Sequence, residues 1–550
     1  MPTIPVVWLH YDAPASPARG YWDQGVIEQL LSNRMWRTGY DFDHTEDLAE
    51  VAGGAVIVMP ARAQVAYVKR LNEDLARLDW VVLILTGDEE ASFPAEQVSH
   101  PNLRMWVMSP RPGRPAHESA VKLGTGFPPQ LHTLMPLTAP DKTSDFFFAG
   151  QVTHVRRTEC VTQLELLDGG ECHPSAGFTQ GLPPADYMAG LARAKVAPCP
   201  SGPETPDTFR LFEALEAGCV PVADTRVQSG LFPDDYWLWF FGEEPPFPIL
   251  REYADLPHYL RESLADYPAV NNRVFGWWQH KKRAMARTLA AQIEDVSGIA
   301  PAEQFVTVVM SCSPMLSHPS TEIIEKTIAS VRGHLPDVEI LVMVDGVREE
   351  SEHLRPAYEE YQRRLLWLCN YAWDNVIVLR HETFQHQSGM TPPALDLVET
   401  PCVLFVEHDT PLTPDWPIEW GPLIESVIAG DANVIRFHHE AHILKEHEHL
   451  MLGPVEELRG VKLRKTMQWS QRPHLASAAY YREMLRTTFR PEARAFIEHG
   501  MYGKLLEAVE RDGIMGWNLH KVLVYHPDGV ILRSSHLDGR QGAPNFDSTF

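Results

Sequence analysis

The stretch LFVEHDTPL, residues 404–412, changes character abruptly. An apolar run ends in Glu407, His408 and Asp409, and Pro411 and Pro414 follow almost at once. A near-continuous apolar run of this kind reads as a parallel strand covered on both faces. Two carboxylates one residue apart, where such a strand enters a turn, can both address one cation. Two other runs end in the same way. FVTVVMSCS, 305–313, closes on Ser311 and Ser313, and VEILVMVDG, 338–346, reaches Asp345. In open α/β sheets, ligands bind beyond the carboxyl ends of the strands. An acidic, solvated loop would carry the same Glu-His-Asp triplet. The buried strand before it, and Asp345 in register, favour a site, and such oxygen ligands suit Mn²⁺ or Mg²⁺.

Short apolar runs alternate with helical patterns along the whole chain, which predicts α/β layers with mainly parallel sheets. Three blocks emerge. In residues 1–140, strands are expected at Pro5–Leu9, Ala55–Met59, Trp80–Leu85 and Leu103–Met108, with helices at Gly25–Met35 and Ala63–Leu78. SPRPGRPAHESAVKLGTGFPPQ, 109–130, reads as a loop-rich exit. The second block, 141–299, reads strand, helix, strand, helix, strand, and then a long helix over 271–295. VSGIAPAEQ, 296–304, has linker composition, and the third block is 300–550.

The most specific stretch of the second block is CPSGPETPDTFRLFEALEAGCVPVAD, 199–224. A strand ends, a loop with Ser201 and Gly202 follows, and a helix starts near Asp207. Free N–H groups and the dipole at such a start favour a diphosphate. Arg210 can add a charge-assisted bond to phosphate, and Glu213, one turn on, can accept from two ribose hydroxyls. The same two residues would also suit an i,i+3 surface pair. Such a pair needs neither the Ser-Gly loop before it nor the Gly-Cys-Val-Pro-Val exit after it.

Composition bounds these readings. A chain of 550 residues suggests several domains. Residues 1–300 carry 25 Lys and Arg against 38 Asp and Glu, and residues 301–550 carry 23 against 35. The acidity is evenly shared, so neither half reads as a nucleic-acid-binding domain. Seven scattered cysteines without a CxxC pair suggest reduced thiols, and the N-terminal stretch lacks the pattern of a signal peptide. No apolar run is long enough for a membrane span. A cytoplasmic protein is expected. RFHHEAHILKEHEHLML holds His438, His439, His442, His447 and His449 without HExxH spacing, and reads as a polar helix or acceptor-site loop. QWSQRPHLASAAYYREML, with Trp469, Arg472, His474 and Tyr480, offers acceptor contacts, with a packed strand-loop-helix as the default.

On VTVVMSCS, LVMVDG and FVEHD, residues 305–415 resemble the family 2-like glycosyltransferases of the GT-A fold. The resemblance implies that Asp345 contacts a nucleotide base and that Glu407 and Asp409 stand in for the DxD motif. A carboxylate late in the domain would deprotonate the acceptor: Glu498 in AFIEHGMYG, with Glu492 as runner-up. His536 in ILRSSHLDGR would be a further metal ligand. Residues 145–245 resemble the exostosin-like glycosyltransferases of the GT-B fold, which share the Cys-Pro-Ser-Gly, Arg, Glu-Ala and Gly-Cys-x-Pro-Val pattern. FFFAGQVTHVRR resembles their phosphate-facing loop and points to Arg156 or Arg157. Residues 1–140 would then be the acceptor-side domain. They would supply any base, for which Asp12 and Asp23 are candidates, and the helix over 271–295 would cross back onto them.

The expectation is a GT-B-like pair of Rossmann-like domains followed by a GT-A-like domain. It implies a bifunctional glycosyltransferase adding sugars from nucleotide-sugar donors in consecutive steps. A glycan, a glycoconjugate, a protein side chain or a modified nucleic-acid base remain open as acceptors. The rivals are one active module with the other as a scaffold, and a non-enzymatic carbohydrate-binding protein.

Overall fold

The computed structural model describes all residues except 12–18, 34–35, 178–179, 229–231, 415, 440–442, 530–531 and 538–550. Two compact units divide the chain. Unit 1 is Met1–Ala302 with Asn370–Asp374, and unit 2 is Glu303–Cys369 with Asn375–Phe550. All seven cysteines are free. Among the described residues no helix is long and apolar enough to cross a membrane.

Unit 1 is built on two parallel sheets. The first contains β1 (Thr3–Trp8), β2 (Asp41–Thr45), β3 (Ala55–Pro60), β4 (Val81–Thr86), β5 (Leu103–Met108) and β6 (Val121–Leu123). Their order is β2-β1-β3-β4-β5-β6. β3 and β4 are buried at every position, and their Val-, Ile- and Leu-rich runs made them readable. β2, DFDHT, is a charged edge strand without an apolar signal. The helix expected over 63–78 is a 3₁₀ segment, Ala61–Tyr67, running into an α-helix, Val68–Leu75. The expected loop at 109–130 contains a short helix, Pro115–Ser119, as well as β6.

The second sheet contains β7 (Ser144–Gln151), β8 (Glu171–Ser175), β9 (Ala194–Cys199), β10 (Val220–Asp224) and β11 (Ile249–Leu250), in the order β11-β10-β9-β7-β8. The long helix runs from Tyr267 to Ser297 and packs against elements around both sheets. One buried cluster fastens it. Glu216 ends the helix Phe209–Glu216, and its oxygens lie 3.0 and 2.8 Å from Lys282 Nζ. Trp278 Nε1 donates to it at 2.7 Å and Gln29 Nε2 at 3.0 Å, and His132 Nε2 lies 2.8 Å away. Glu216 is 0% exposed and Lys282 1%. Burial opposes ionisation of Glu216, but the Lys282 ammonium and His132 hold it well below the usual carboxylate range.

Unit 2 carries one nine-stranded mixed sheet. Its strands are β12 (Val306–Cys312), β13 (Glu339–Val344), β14 (Val376–Arg380), β15 (Cys402–Glu407), β16 (Val434–Arg436), β17 (Met451–Leu458), β18 (Val461–Thr466), β19 (His474–Ser477) and β20 (Val522–Tyr525). The order is β14-β13-β12-β15-β19-β16-β20-β18-β17. The first four strands are mutually parallel, as their apolar runs suggested. β19 then runs antiparallel to both β15 and β16. β17 and β18 form a hairpin whose turn residues, Arg459 and Gly460, both have positive φ. The α/β class stands as read from the sequence, and the antiparallel strands are what that reading lacked.

The Glu216–Lys282 contact yields a stability prediction. Glu216→Gln leaves a buried ammonium without its counter-charge, which costs about 3–5 kcal/mol. The native carboxylate has a depressed pKa, so its contribution is complete above the unfolded value of about 4.3 and fades below it. Denaturant titrations of the chain and the variant should show a stability gap that is flat from pH 5 to 8 and shrinks below about pH 4. Equal stability at pH 7 would refute this.

Candidate active sites

Unit 2 holds a cavity of about 580 Å³ at the carboxyl ends of its parallel strands. Register makes the site. Ser311 pairs with Glu407 across β12 and β15, and Cys312 pairs with Val344, directly before Asp345. Ser311, Ser313, Asp345, Glu407, Asp409 and His536 all line the wall. His536 arrives by a second alignment. The segment 533–537 lies beside the turn after β15, with Thr413 N donating to Arg533 O, Ser535 N to Pro411 O and Leu537 N to Asp409 O. His536 Nε2 thereby stands 3.4 Å from Asp409 Oδ2.

Asp345 is buried and accepts three backbone N–H groups, from Gly346 at 2.8 Å, Gln385 at 2.7 Å and His386 at 2.9 Å. Burial raises its pKa, and those bonds oppose the rise. Oδ1 accepts two of these bonds and Oδ2 one, so Oδ2 retains acceptor capacity. Glu407 accepts from Gln387 Nε2 at 2.7 Å. Its pKa is pushed up to about 8, chiefly by burial and then by the charges of Asp409 and Glu498. Asp409 moves the other way. Burial opposes its ionised form, yet His536 and the charge on His408 hold it below the usual range. Three carboxylates therefore converge. Glu407 and Asp409 are on the wall. Glu498, in the first turn of the helix Ile497–Asp512, is near enough for its charge to act on Glu407 but is not among the lining residues, and it accepts from Gln471 N at 3.2 Å. A divalent cation is the ligand this set would suit, although among the described residues only Cys312, His318 and His408 bring three ligating atoms within 4.8 Å of one another. Glu407, Asp409 and His536 would hold it, and its charge would relieve the mutual repulsion. Glu492 is exposed and lies off the cavity wall.

Gln387 was not read from the sequence. It links Glu407 to Gln471, whose Nε2 donates to Gln387 Oε1 at 2.8 Å. Its helix, His386–Asp396, contains Pro392 and Pro393, so the stretch carries no helical signal. Cys312 and His408, both on the wall, and His318 bring their ligating atoms within 4.8 Å of one another. Each already has a protein partner: Tyr361 OH at 3.3 Å for Cys312, the Met315 N–H for His318, and Ser311 O for His408 Nδ1. The group reads as packing.

The histidine-rich segment forms a 3₁₀ turn, Lys445–Leu450, that carries His447 and His449 and leads into β17. It is not the polar helix expected, because the strand pairing with β18 claims the residues after it. The carbonyl of His438 accepts from Arg533 N and Ser534 N, and His439 Nδ1 lies 2.6 Å from Ser534 Oγ. His442 lies outside the described residues. Trp469 and His474 are core residues, and His474 stacks on Phe405 at 5.3 Å. Tyr480 OH meets His520 Nδ1 at 2.8 Å. Arg472 is buried as well. This is the packed strand-loop-helix, away from the cavity wall.

Unit 1 holds a second cavity, of about 660 Å³. Arg157, Thr208, Arg210 and Glu213 line it, together with Gly150 and Gln151 from the end of β7. Arg210 Nη2 donates to Ala149 O at 2.8 Å, and Arg157 Nη1 to Gln151 O at 3.2 Å. Both side chains are 9% exposed. Arg157 Nε, Arg210 Nε and Thr208 Oγ1 are buried without a hydrogen-bond partner among the described residues. Burial, then the neighbouring Arg210 charge, lowers Arg157 to about 10. Two buried cations with unspent donors are what an anion would satisfy. Gly150 has φ +149°, and a Cβ there would lie 2.1 Å from Arg210 Nη2, so only glycine lets the guanidinium reach the strand end. Glu213 accepts from Tyr187 OH, and burial raises its pKa.

Three residues expected to hold the diphosphate are placed elsewhere. Arg156 forms a fork with Asp224 at 2.9 and 2.7 Å and also meets Glu159, so it is a buried structural pair and Arg157 takes the cavity position. The Ser201 hydroxyl turns to Asp224 at 3.3 Å. The Gly202 N–H is spent on Thr205 O at 2.9 Å. The Ser-Gly loop thus closes on itself, and the open donors are those of Arg157, Thr208 and Arg210. Asp23 is buried beside a small void, with Oδ1 unpartnered and its pKa raised to about 6 by burial. Asp12 lies outside the described residues.

No family model and no curated protein matches the chain. Among solved structures it is similar to S. aureus TarS residues 1–349, with 13% identity, 42% of this chain and 60% of that chain covered, and a TM-score of 0.27. The S. aureus TarS structure gives 13% identity, 43% and 37% coverage and a TM-score of 0.25. TarS 1–349 in complex with UDP-GlcNAc gives 12%, 43% and 59%, and 0.25. The chain spans less than two thirds of the length of these structures.

Proposed function

We propose that the chain is a bifunctional glycosyltransferase with one nucleotide-sugar site in each unit, acting in consecutive steps on a glycan or glycoconjugate acceptor. Residues 300–550 act as a GT-A-type, family 2-like module, and residues 1–299 as an exostosin-like GT-B-type module, with an acceptor-side domain over 1–140 and a donor-side domain over 141–299. The observation that carries the reading is the convergence of Glu407, Asp409 and Glu498, with His536, at the carboxyl ends of parallel strands.

In unit 2 the bound cation, Mn²⁺ or Mg²⁺, would supply charge neutralisation for a departing diphosphate. Asp345 and Ser311 position the nucleotide from the cavity floor. Glu498 takes the proton of the attacking acceptor hydroxyl, and Gln387 and Gln471 hold its neighbourhood in place. In unit 1 the diphosphate meets Arg157, Arg210 and Thr208 without a metal, and Glu213 accepts from the ribose.

Two outcomes test this. Nucleoside diphosphate release from UDP-, GDP- and dTDP-sugars should split into an EDTA-sensitive and an EDTA-insensitive activity. Asp409→Ala should remove the first by about 100-fold or more, since cation neutralisation is worth several kcal/mol. It should also abolish Mn²⁺ binding measured by calorimetry. Full turnover of every donor in excess EDTA would sink the unit 2 assignment.

For unit 1, Glu213→Ala should weaken donor binding by about 1–3 kcal/mol. Gly150→Ala should weaken it too, at a backbone cost of about 1–3 kcal/mol, while Mn²⁺ binding to unit 2 stays intact. Unchanged donor affinity in both variants would count against the site.

A further inference from the structure

The loop after β4 reads Asp88-Glu89-Glu90, and the fold gives its three carboxylates different tasks. Asp88 is spent on the loop itself, accepting from Ser92 N and Oγ and from Phe93 N at 2.8–2.9 Å. Glu90 pairs with Arg62 at 3.0 Å on the surface. Glu89 accepts no hydrogen bond from a described group, and its side chain is on the wall of the unit 1 cavity. Gly87 and Ala91, on either side, both have positive φ, so the backbone is bent to present the residue between them.

Glu89 comes from the first sheet, while the cationic wall, Arg157 and Arg210, comes from the second. The cavity therefore has an anion-binding side with unspent buried donors and a facing side with one unspent carboxylate. Trp22, 40% exposed, lines the same space and packs against Phe209 with ring centroids 3.5 Å apart and planes tilted by 34°. A flat indole at the rim suits the apolar face of a sugar ring.

We propose that Glu89 is the catalytic base of unit 1 and that the first-sheet wall, with Trp22, receives a saccharide acceptor. The proposal rests on reading unit 1 as a donor site. The acceptor hydroxyl gives its proton to the Glu89 carboxylate as its oxygen bonds to the anomeric carbon of the donor sugar. The bond from that carbon to the diphosphate oxygen breaks, and its electron pair leaves on the diphosphate, whose charge Arg157 and Arg210 receive. A single displacement of this kind inverts the anomeric centre.

The electrostatic setting matches the task. Burial raises the Glu89 pKa to about 7, the charges of Asp207 and Asp23 add to the rise, and Arg157 and Arg62 oppose it. A base poised near the working pH is the useful one.

The test uses the full chain carrying Asp409→Ala, which silences unit 2. Nucleoside diphosphate release from UDP-, GDP- and dTDP-hexoses, including UDP-GlcNAc, is followed from pH 5 to 9. Activity should rise with pH to a plateau, with an inflection near 7, because the ionised base is required. Glu89→Gln should lower kcat by about 100-fold or more with donor KM within twofold, and the inflection should vanish. Glu89→Asp should keep the inflection at reduced kcat, and both variants should melt with the parent. A kcat within threefold in Glu89→Gln, or an inflection that survives in it, overturns the proposal. Arg210→Ala serves as the separate control. If it leaves donor KM unchanged, the donor-site reading fails whatever Glu89 does. If no donor is turned over by the Asp409→Ala chain, both readings fall together.

Discussion

Parallel strands end on one edge, and that constraint decides where chemistry can sit in this chain. In unit 2, the pairing of Ser311 with Glu407 and of Cys312 with Val344 leaves no freedom in which side chains meet beyond the sheet. A shift of one residue in either pairing would turn each of these side chains to the other face. The same rule puts Gly150 and Gln151 at the end of β7 and Glu89 beyond β4. What the loops add is a second alignment, as where the segment 533–537 delivers His536 to Asp409.

Both cavities hold like charges side by side, carboxylates in unit 2 and guanidiniums in unit 1. Burial first, and then the neighbouring carboxylates, make Glu407 resist ionisation; burial first, and then the Arg210 charge, make Arg157 hold its proton less tightly. Like charges in a dry place are costly without a counter-ion. A ligand of complementary charge would recover the stability given up there, which is why perturbed ionisation in a cleft points to candidate sites.

The sequence displayed the central strands and the residues at their ends, because buried parallel strands are uninterrupted apolar runs. It hid the edge strand β2, whose DFDHT pattern follows no apolar period, and the helix bearing Gln387, whose prolines argue against a helix. The Arg210–Glu213 spacing was legible, but the choice of Arg157 over Arg156 was not. Adjacent residues on a helix point about 100° apart, and the chain gives no sign that Asp224, far along in sequence, will claim the first of the two. The Ser-Gly loop misled for a related reason. A glycine N–H advertises availability, and its spending on Thr205 is visible only in three dimensions.

The helix Phe209–Glu216 is only eight residues long, and it carries Arg210 and Glu213 into the cavity while its last residue, Glu216, sits in the buried clasp with Lys282, His132 and Gln29. Any breathing of the two sheets of unit 1 must strip an ammonium from a carboxylate where neither meets water. The walls of the unit 1 cavity therefore have no inexpensive way to close or to widen, and the gap would have to be met as it stands.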